Sequence, residues 1–253
     1  MGNSKEIQEF AIGSGFNFTG ADIDELGASE YTLVTIALDE SGSISRFETQ
    51  IRDMLITAVK ACANSPRSDN LLIRVIRFGS QYVRQNGNGI DEIHGFKTLA
   101  EIDSNNYPQL AGGGLTPLCD AVYSGVGAMN AYAKQLQDMD FDVNGITFVV
   151  TDGGENASTA TMQMVKDALA ESVTGEVMES HVSVLIGIDT GYAGVKDKLD
   201  RFKNEAGMTQ FIWAGEATKG KLAKLAAFVS QSVSSTSVAL GTGGPSQNIS
   251  ATI

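Results

Sequence analysis

The chain has 253 residues, 30 of them acidic and 18 Lys or Arg, for a formal net charge of −12. Hydrophobic residues at 42% and charged residues at 19% fit a globular chain that buries a sizeable core, and they exclude a disordered one. The acidic balance also excludes a general nucleic-acid binder, because a phosphate backbone rewards clustered Lys and Arg.

In chain order, residues 1–30 read as an irregular extension. The opening MGNSKE resembles a myristoylation start except at Glu6, where Ser or Thr is required. The first fifteen residues carry no apolar core of a secretory signal, so a cytoplasmic location is expected. Gly13-Ser14-Gly15 follows no strand and is not a dinucleotide fingerprint. Short β-branched apolar runs then predict strands at 31–39, 71–79, 144–152, 181–189 and 210–215. The runs at 31–39, 144–152 and 181–189 each end in Asp after nearly continuous apolar sequence, as parallel strands covered on both faces do.

Helices are predicted over 46–64, 117–137, 159–174, 193–206 and 218–234. In the first, Phe47, Ile51, Leu55, Val59 and Cys62 recur at three- and four-residue spacing, the stripe of a surface helix. Strand–helix alternation predicts an α/β, doubly wound, mostly parallel sheet flanked by helices. The segment 80–110 breaks the rhythm and is read as a short edge strand and a turn, and 235–253 as a Ser/Thr/Gly-rich tail. No apolar run reaches the roughly 18 residues of a membrane span.

Cys62 and Cys119 are the only cysteines, too few for a disulfide scaffold, and are expected as buried free thiols. With His94 and His181 alone besides them, no Cys/His zinc site can form. The three N-x-S/T triplets, at Asn17, Asn156 and Asn248, are read as chance.

The first strand runs into Asp39-Glu40-Ser41-Gly42-Ser43. Residues two apart in extended chain share a side, so Asp39, Ser41 and Ser43 can converge. A carboxylate and two hydroxyls are hard oxygen donors suited to Mg²⁺, although small polar residues after a strand also serve as a turn and helix cap. The strand at 144–152 ends in Thr151-Asp152-Gly153-Gly154-Glu155-Asn156. Between them, Gly112-Gly113-Gly114-Leu115-Thr116-Pro117-Leu118 is a glycine loop entering a helix, with Thr116 expected at the N-cap.

DESGS, LTPL and TDGGEN, in this order on this alternation, resemble the von Willebrand factor A family over roughly residues 31–234. The resemblance implies a Rossmann-like sheet of order 3-2-1-4-5-6 with one antiparallel edge strand. It also implies a metal-ion-dependent adhesion site (MIDAS). Matched residue by residue, the metal ligands would be Asp39, Ser41 and Ser43, then Thr116, then Asp152. The expected ion is Mg²⁺, with Mn²⁺ or Ca²⁺ as alternatives, and the expected activity is binding of a protein partner's carboxylate through the metal. A bacterial or phage intracellular subtype and a MoxR-type AAA+ ATPase or tellurium-resistance context are implied by the resemblance alone.

Other motifs fall short. Asp140, Asp142, Asn144 and Gly145 fit half an EF-hand loop, but Thr151 stands where its Glu is required. Gly215, Gly220 and Lys221 fit part of a P-loop, but Leu222 stands where Ser or Thr is required. No G-x-S-x-G elbow exists, and a haloacid dehalogenase site would need an acid where Ser41 stands. No enzymatic activity is expected. The alternative reading is a self-assembling structural protein that uses residues 1–30 and 235–253 and in which the metal site is structural.

Overall fold

The computed structural model describes residues 8–12, 15–174, 177–216 and 218–243. The apolar runs become strands β3 (Glu30–Asp39), β4 (Leu71–Phe78), β6 (Asp142–Thr151), β7 (Ser180–Asp189) and β8 (Gln210–Glu216). Every residue of β3 from Tyr31 onward is buried, as a strand covered on both faces requires. Three further strands are β1 (Gln8–Ile12), β2 (Phe16–Gly20) and β5 (Ile90–Thr98). The helices are α1 (Glu48–Ala63), α2 (Val83–Asn86), α3 (Leu118–Gln137), α4 (Met162–Thr174), α5 (Val195–Ala206) and α6 (Lys219–Gly241).

The sheet order is β1-β2-β5-β4-β3-β6-β7-β8. Its last six strands reproduce the 3-2-1-4-5-6 order, with β5 antiparallel to β4 and the pairings from β4 through β8 parallel. One core lies between the sheet and α1 with α6, centred on Val34, Ile36, Phe148, Leu225 and Phe228. The opposite face packs on α3, α4 and α5 through Val149, Leu185, Val122, Val165 and Leu199. Among the described residues no helix is long and apolar enough to cross a membrane. Cys62 and Cys119 are buried and free.

The structure departs from the sequence expectations in four places. Residues 8–20, expected as irregular chain, contain an antiparallel β1–β2 hairpin. Its backbone register with the main sheet is a single parallel pair, Gly20 with Phe96, and its stacked Phe10 and Phe18 meet Tyr132 of α3 edge-on. Gly95 permits that approach, because a Cβ there would lie 1.9 Å from the Thr19 carbonyl oxygen. Second, the segment 80–110 holds α2 and a nine-residue β5, longer than the edge strand expected, and the hairpin covers its outer side at Phe96. Third, α6 runs on to Gly241 where a Ser/Thr tail was expected. Its small residues Ser232, Thr236 and Ser237 are buried, Asn144 Nδ2 donates to the Thr236 carbonyl at 3.2 Å, and Arg67 Nε donates to Ser237 Oγ at 3.0 Å. Packing thus outweighs the weak helix propensity of Ser and Thr. Fourth, α3 begins at Leu118 with Pro117 at its N-cap and no side-chain cap, so Thr116 does not cap it. Residues 1–7, Gly13, Ser14, Asn248 and the rest of 244–253 lie outside the described residues.

The near-miss motifs have structural roles. Asn144 is buried, accepts from Ser180 Oγ at 2.8 Å and is spent on joining β6 to α6. Thr218 caps α6 by accepting from the Lys221 N–H.

Both histidines are held neutral. His181 lies between Thr147 Oγ1 (3.0 Å) and Ser172 Oγ (2.8 Å), and burial lowers its pKa from 6.5 to about 4. An unfolded histidine protonates near pH 6.5, so between pH 6.5 and 4 the unfolded chain holds more protons and stability falls as pH falls. Stability lent by the neutral ring is therefore complete above pH 6.5 and drains away toward pH 4, by roughly 3 kcal/mol at most. His181→Gln should be less stable than wild type at pH 7, and urea midpoints should show that gap narrowing toward pH 4. A constant gap would contradict this account.

Candidate functional site

Strands β3 and β6 lie side by side in parallel register, Leu38 opposite Val150, so their carboxyl ends deliver Asp39 and Asp152 to the same edge. Strand order reverses here, since β4 continues to one side of β3 and β7 to the far side of β6. Open α/β sheets bind ligands at such a point. After Asp39 the chain turns through Ser41 into a short 3₁₀ segment, Gly42–Arg46. Asp39 Oδ1 accepts from the Ser41 N–H at 2.6 Å, and Asp39 Oδ2 accepts from Thr151 Oγ1 at 2.5 Å. Ser43 Oγ donates to Asp152 Oδ1 at 2.7 Å and stands 3.2 Å from Ser41 Oγ.

Thr116 arrives from the glycine loop. Its N–H donates to Asn156 Oδ1 at 2.7 Å, and the Asn156 N–H donates back to the Thr116 carbonyl at 3.1 Å. Gly153 leaves room for its hydroxyl, because a Cβ there would stand 2.8 Å from Thr116 Oγ1. Gly114 adopts φ +73°, a left-handed conformation that favours glycine, and its carbonyl accepts from the Gly42 N–H at 3.1 Å. All five residues named from the sequence therefore gather around one recess. Asp39, Ser41, Thr116 and Asp152 are buried, and Ser43 is partly exposed at its mouth.

The electrostatics favour a cation. Burial raises the Asp39 pKa from 3.8 to about 7, against the hydrogen bonds from Thr151 and Ser41 and with a further push from Asp152. Burial likewise raises Asp152, opposed first by the hydrogen bond from the Ser43 hydroxyl. Asp152 Oδ2 is buried without a hydrogen-bond partner. An orphaned carboxylate oxygen beside a second buried acid is costly unless something positive completes it. Among the described residues no group of three His, Cys, Asp or Glu side chains is placed to hold a metal ion. A cation here would therefore rest on two carboxylates and three neutral hydroxyls, a donor set that suits a hard ion.

Sequence reasoning missed the residues that hold the loops in place. Glu40, fully buried inside the D-x-S-x-S run, accepts from the Ala111 N–H at 2.9 Å and from Arg77 Nη1 at 3.2 Å, and the Tyr82 hydroxyl donates to it. Its carbonyl accepts from the Gly113 N–H at 2.8 Å, so one residue anchors both ends of the Ala111–Gly113 stretch. Asp120 binds the N–H groups of Gly89, Thr159 and Ala160 at 2.7–2.9 Å. Glu155 binds those of Cys119, Ala157 and Ser158 at 2.6–2.9 Å. The one local signal was the placement of Asp120 in the first turn of α3, where acids are favoured. Nothing local marks Glu40 as buried.

No family model matches the sequence, and no curated protein matches it. Solved structures do match in fold. Proximal thread matrix protein 1 (PTMP1) from the mussel byssus aligns with 81% of this chain and 48% of its own, at 17% identity and a TM-score of 0.55. The pilus adhesin SpaC from Lactobacillus rhamnosus GG, in its open conformation, aligns with 93% of this chain and 35% of its own, at 10% identity and a TM-score of 0.56. A further structure of the byssus protein, described as having a zinc-occupied MIDAS motif, aligns with 81% of this chain at 17% identity and a TM-score of 0.50. The chain spans less than half the length of each of these proteins. Together with the strand order, these likenesses establish a von Willebrand A-like, Rossmann-type fold.

Proposed function

We propose that the chain is a metal-dependent protein-binding module, not an enzyme, in which Asp39, Ser41, Ser43, Thr116 and Asp152 hold one divalent ion. The observation that carries this reading is the convergence of these five oxygen donors on a recess where Asp152 Oδ2 is buried without a partner. The bound ion would be Mg²⁺, with Mn²⁺ or Ca²⁺ as alternatives, and it supplies a Lewis-acidic position for a partner's Asp or Glu carboxylate. Asp39 and Asp152 offset the ion's charge, while the hydroxyls of Ser41, Ser43 and Thr116 add oxygens without further negative charge. The zinc-occupied MIDAS of the byssus neighbour supports the reading, and the all-oxygen donor set of this chain favours a harder ion than zinc. Neither histidine serves the recess as a base: His94 bonds Tyr107 and the Gly95 carbonyl, and His181 bonds Thr147 and Ser172.

The self-assembly alternative draws less support, because residues 8–12 and 16–20 and the chain up to Gly241 are built into the fold. The deciding test is capture of a protein partner by wild type and by Asp39→Ala, with and without chelator. Capture by wild type in Mg²⁺ alone supports the proposal. Equal capture by both proteins would overturn it, and metal-independent homo-oligomers would favour self-assembly.

Gly153→Ala gives a finer check. Its methyl group would push the Thr116 hydroxyl off its rotamer, at about 1 kcal/mol, so Mg²⁺ affinity should fall roughly five- to tenfold in calorimetry. The circular dichroism spectrum should be unchanged. Unaltered affinity would remove Thr116 from the ligand set.

A further inference from the structure

We infer that a cleft beside the five-residue site receives a second carboxylate of the partner, so that the chain recognises a short diacidic segment of another protein. The inference rests on the metal-dependent reading above and names the chemistry of its ligand. The cleft, of about 490 Å³, opens between the loop after β6 and helix α5, and Gly154, Glu155, Lys198, Arg201 and Phe202 are among its lining residues. Lys198 runs alongside Gly154: a Cβ on that glycine would lie 3.6 Å from Lys198 Cβ and Cδ. Gly154 is two residues from Asp152, at most about 7 Å along the chain. The cleft therefore adjoins the recess.

Its charges favour an anion. Lys198 and Arg201 are exposed and make no salt bridge among the described residues, and Arg201 has only a long contact, 3.4 Å, to the Asp197 carbonyl. Two acids also line the cleft. Glu155 is already occupied by three N–H groups and the Ser158 hydroxyl, which donates at 2.6 Å. Glu205 lies about 10 Å down the helix from Lys198 and one turn, about 6 Å, beyond Arg201, with which it forms no salt bridge among the described residues. Beside the proposed cation site, Lys198 and Arg201 are thus two exposed cations without a salt bridge among the described residues, placed to pair with a second carboxylate.

Apolar side chains flank the same edge. Among the described residues four large hydrophobic side chains stand exposed, and two of them, Leu115 (52%) and Tyr192 (66%), lie on loops bordering the recess. Leu115 precedes Thr116, and Tyr192 comes two residues after Thr190, whose side chain lies near Asp152. An extended segment that places one acid at the metal and a second two or three residues away would reach Lys198 and Arg201, at about 3.3 Å per residue. The occupant is thus an acidic segment with a small or apolar spacer.

The test is a nuclear magnetic resonance titration in Mg²⁺ with capped glycine peptides carrying one Asp, or an Asp and a Glu separated by one or two glycines. The diacidic peptides should bind about five- to tenfold more tightly than the monoacidic one. That advantage should vanish in Lys198→Ala/Arg201→Ala, whose Mg²⁺ affinity by calorimetry should equal wild type. Lys198→Glu/Arg201→Glu should instead prefer a peptide with Lys in place of the Glu. Equal binding of mono- and diacidic peptides, with Mg²⁺ binding intact, overturns this inference alone, whereas absence of Mg²⁺ binding overturns the reading beneath it as well. If inorganic phosphate erases the advantage at matched concentration, or if these cations instead mediate Mg²⁺-dependent dimers of the chain, the assignment to a partner's acidic segment falls.

Discussion

Mg²⁺ should raise the thermal unfolding midpoint of the wild-type protein and leave that of Asp39→Asn unmoved. A ligand at one hundred times its dissociation constant, bound only to the folded chain, adds about 2.7 kcal/mol, or roughly 5–10 °C for a domain of this size. Asn preserves the side chain's shape and can still accept from the Ser41 N–H, so the variant should fold. Without metal the order should reverse at pH 8. The folded pKa of Asp39 is raised from 3.8 to about 7. Above pH 7 the native state therefore carries an ionised carboxylate that burial penalises, and Asn removes that cost. As pH falls through 7 toward 3.8 the native carboxylate takes up its proton before the unfolded one, so the variant's advantage should shrink. Equal stabilisation of both proteins by Mg²⁺ would place the ion elsewhere.

Arg74→Met should cost about 3–5 kcal/mol in urea unfolding, a large share of the roughly 5–15 kcal/mol that holds a typical domain. Arg74 is fully buried in β4. Its Nε donates to Glu92 Oε2 at 2.6 Å, Nη1 to the Ser124 carbonyl at 3.1 Å and Nη2 to Ser124 Oγ at 3.2 Å. The guanidinium also lies 5.8 Å from the Phe18 ring centre. Glu92 in turn accepts from Thr19 N–H and Oγ1 at 2.9 and 2.6 Å, so the ion pair fastens the hairpin to the sheet. Removing the cation leaves Glu92 and the Ser124 carbonyl without that partner. Arg74→Met/Glu92→Met should recover part of the loss, because an apolar pair needs no counter-charge. A wild-type urea midpoint for Arg74→Met would show that the pair holds nothing.

The strands were legible where one local property decided them. A run such as 31–39 has to be buried on both faces wherever it packs, and a short-range pattern is enough to say so. Asp39 and Ser41 were legible from two-residue spacing, whereas Ser43 lies in the 3₁₀ segment Gly42–Arg46 and reaches Asp152 through that turn. The hairpin at 8–20 and the far half of α6 were not. Phe18 and Gly20 become sheet because Phe96 and Tyr132 are there to receive them, Phe16 packs on Tyr123, and Ser232, Thr236 and Ser237 stay helical because neighbouring elements bury them.

By itself the sequence determined the α/β alternation, the parallel central strands and the identity of the oxygen donors at their ends. Those properties depend on residues a few positions apart. Only the tertiary structure decided which donors meet, because Asp39 and Asp152 are 113 positions apart and converge through the pairing of β3 with β6. It alone turned Glu40 inward against Arg77, Tyr82 and Ala111, left Asp152 Oδ2 without a partner and set Lys198 beside Gly154. Burial and long-range register belong to the packed chain as a whole, and no short window of sequence contains them.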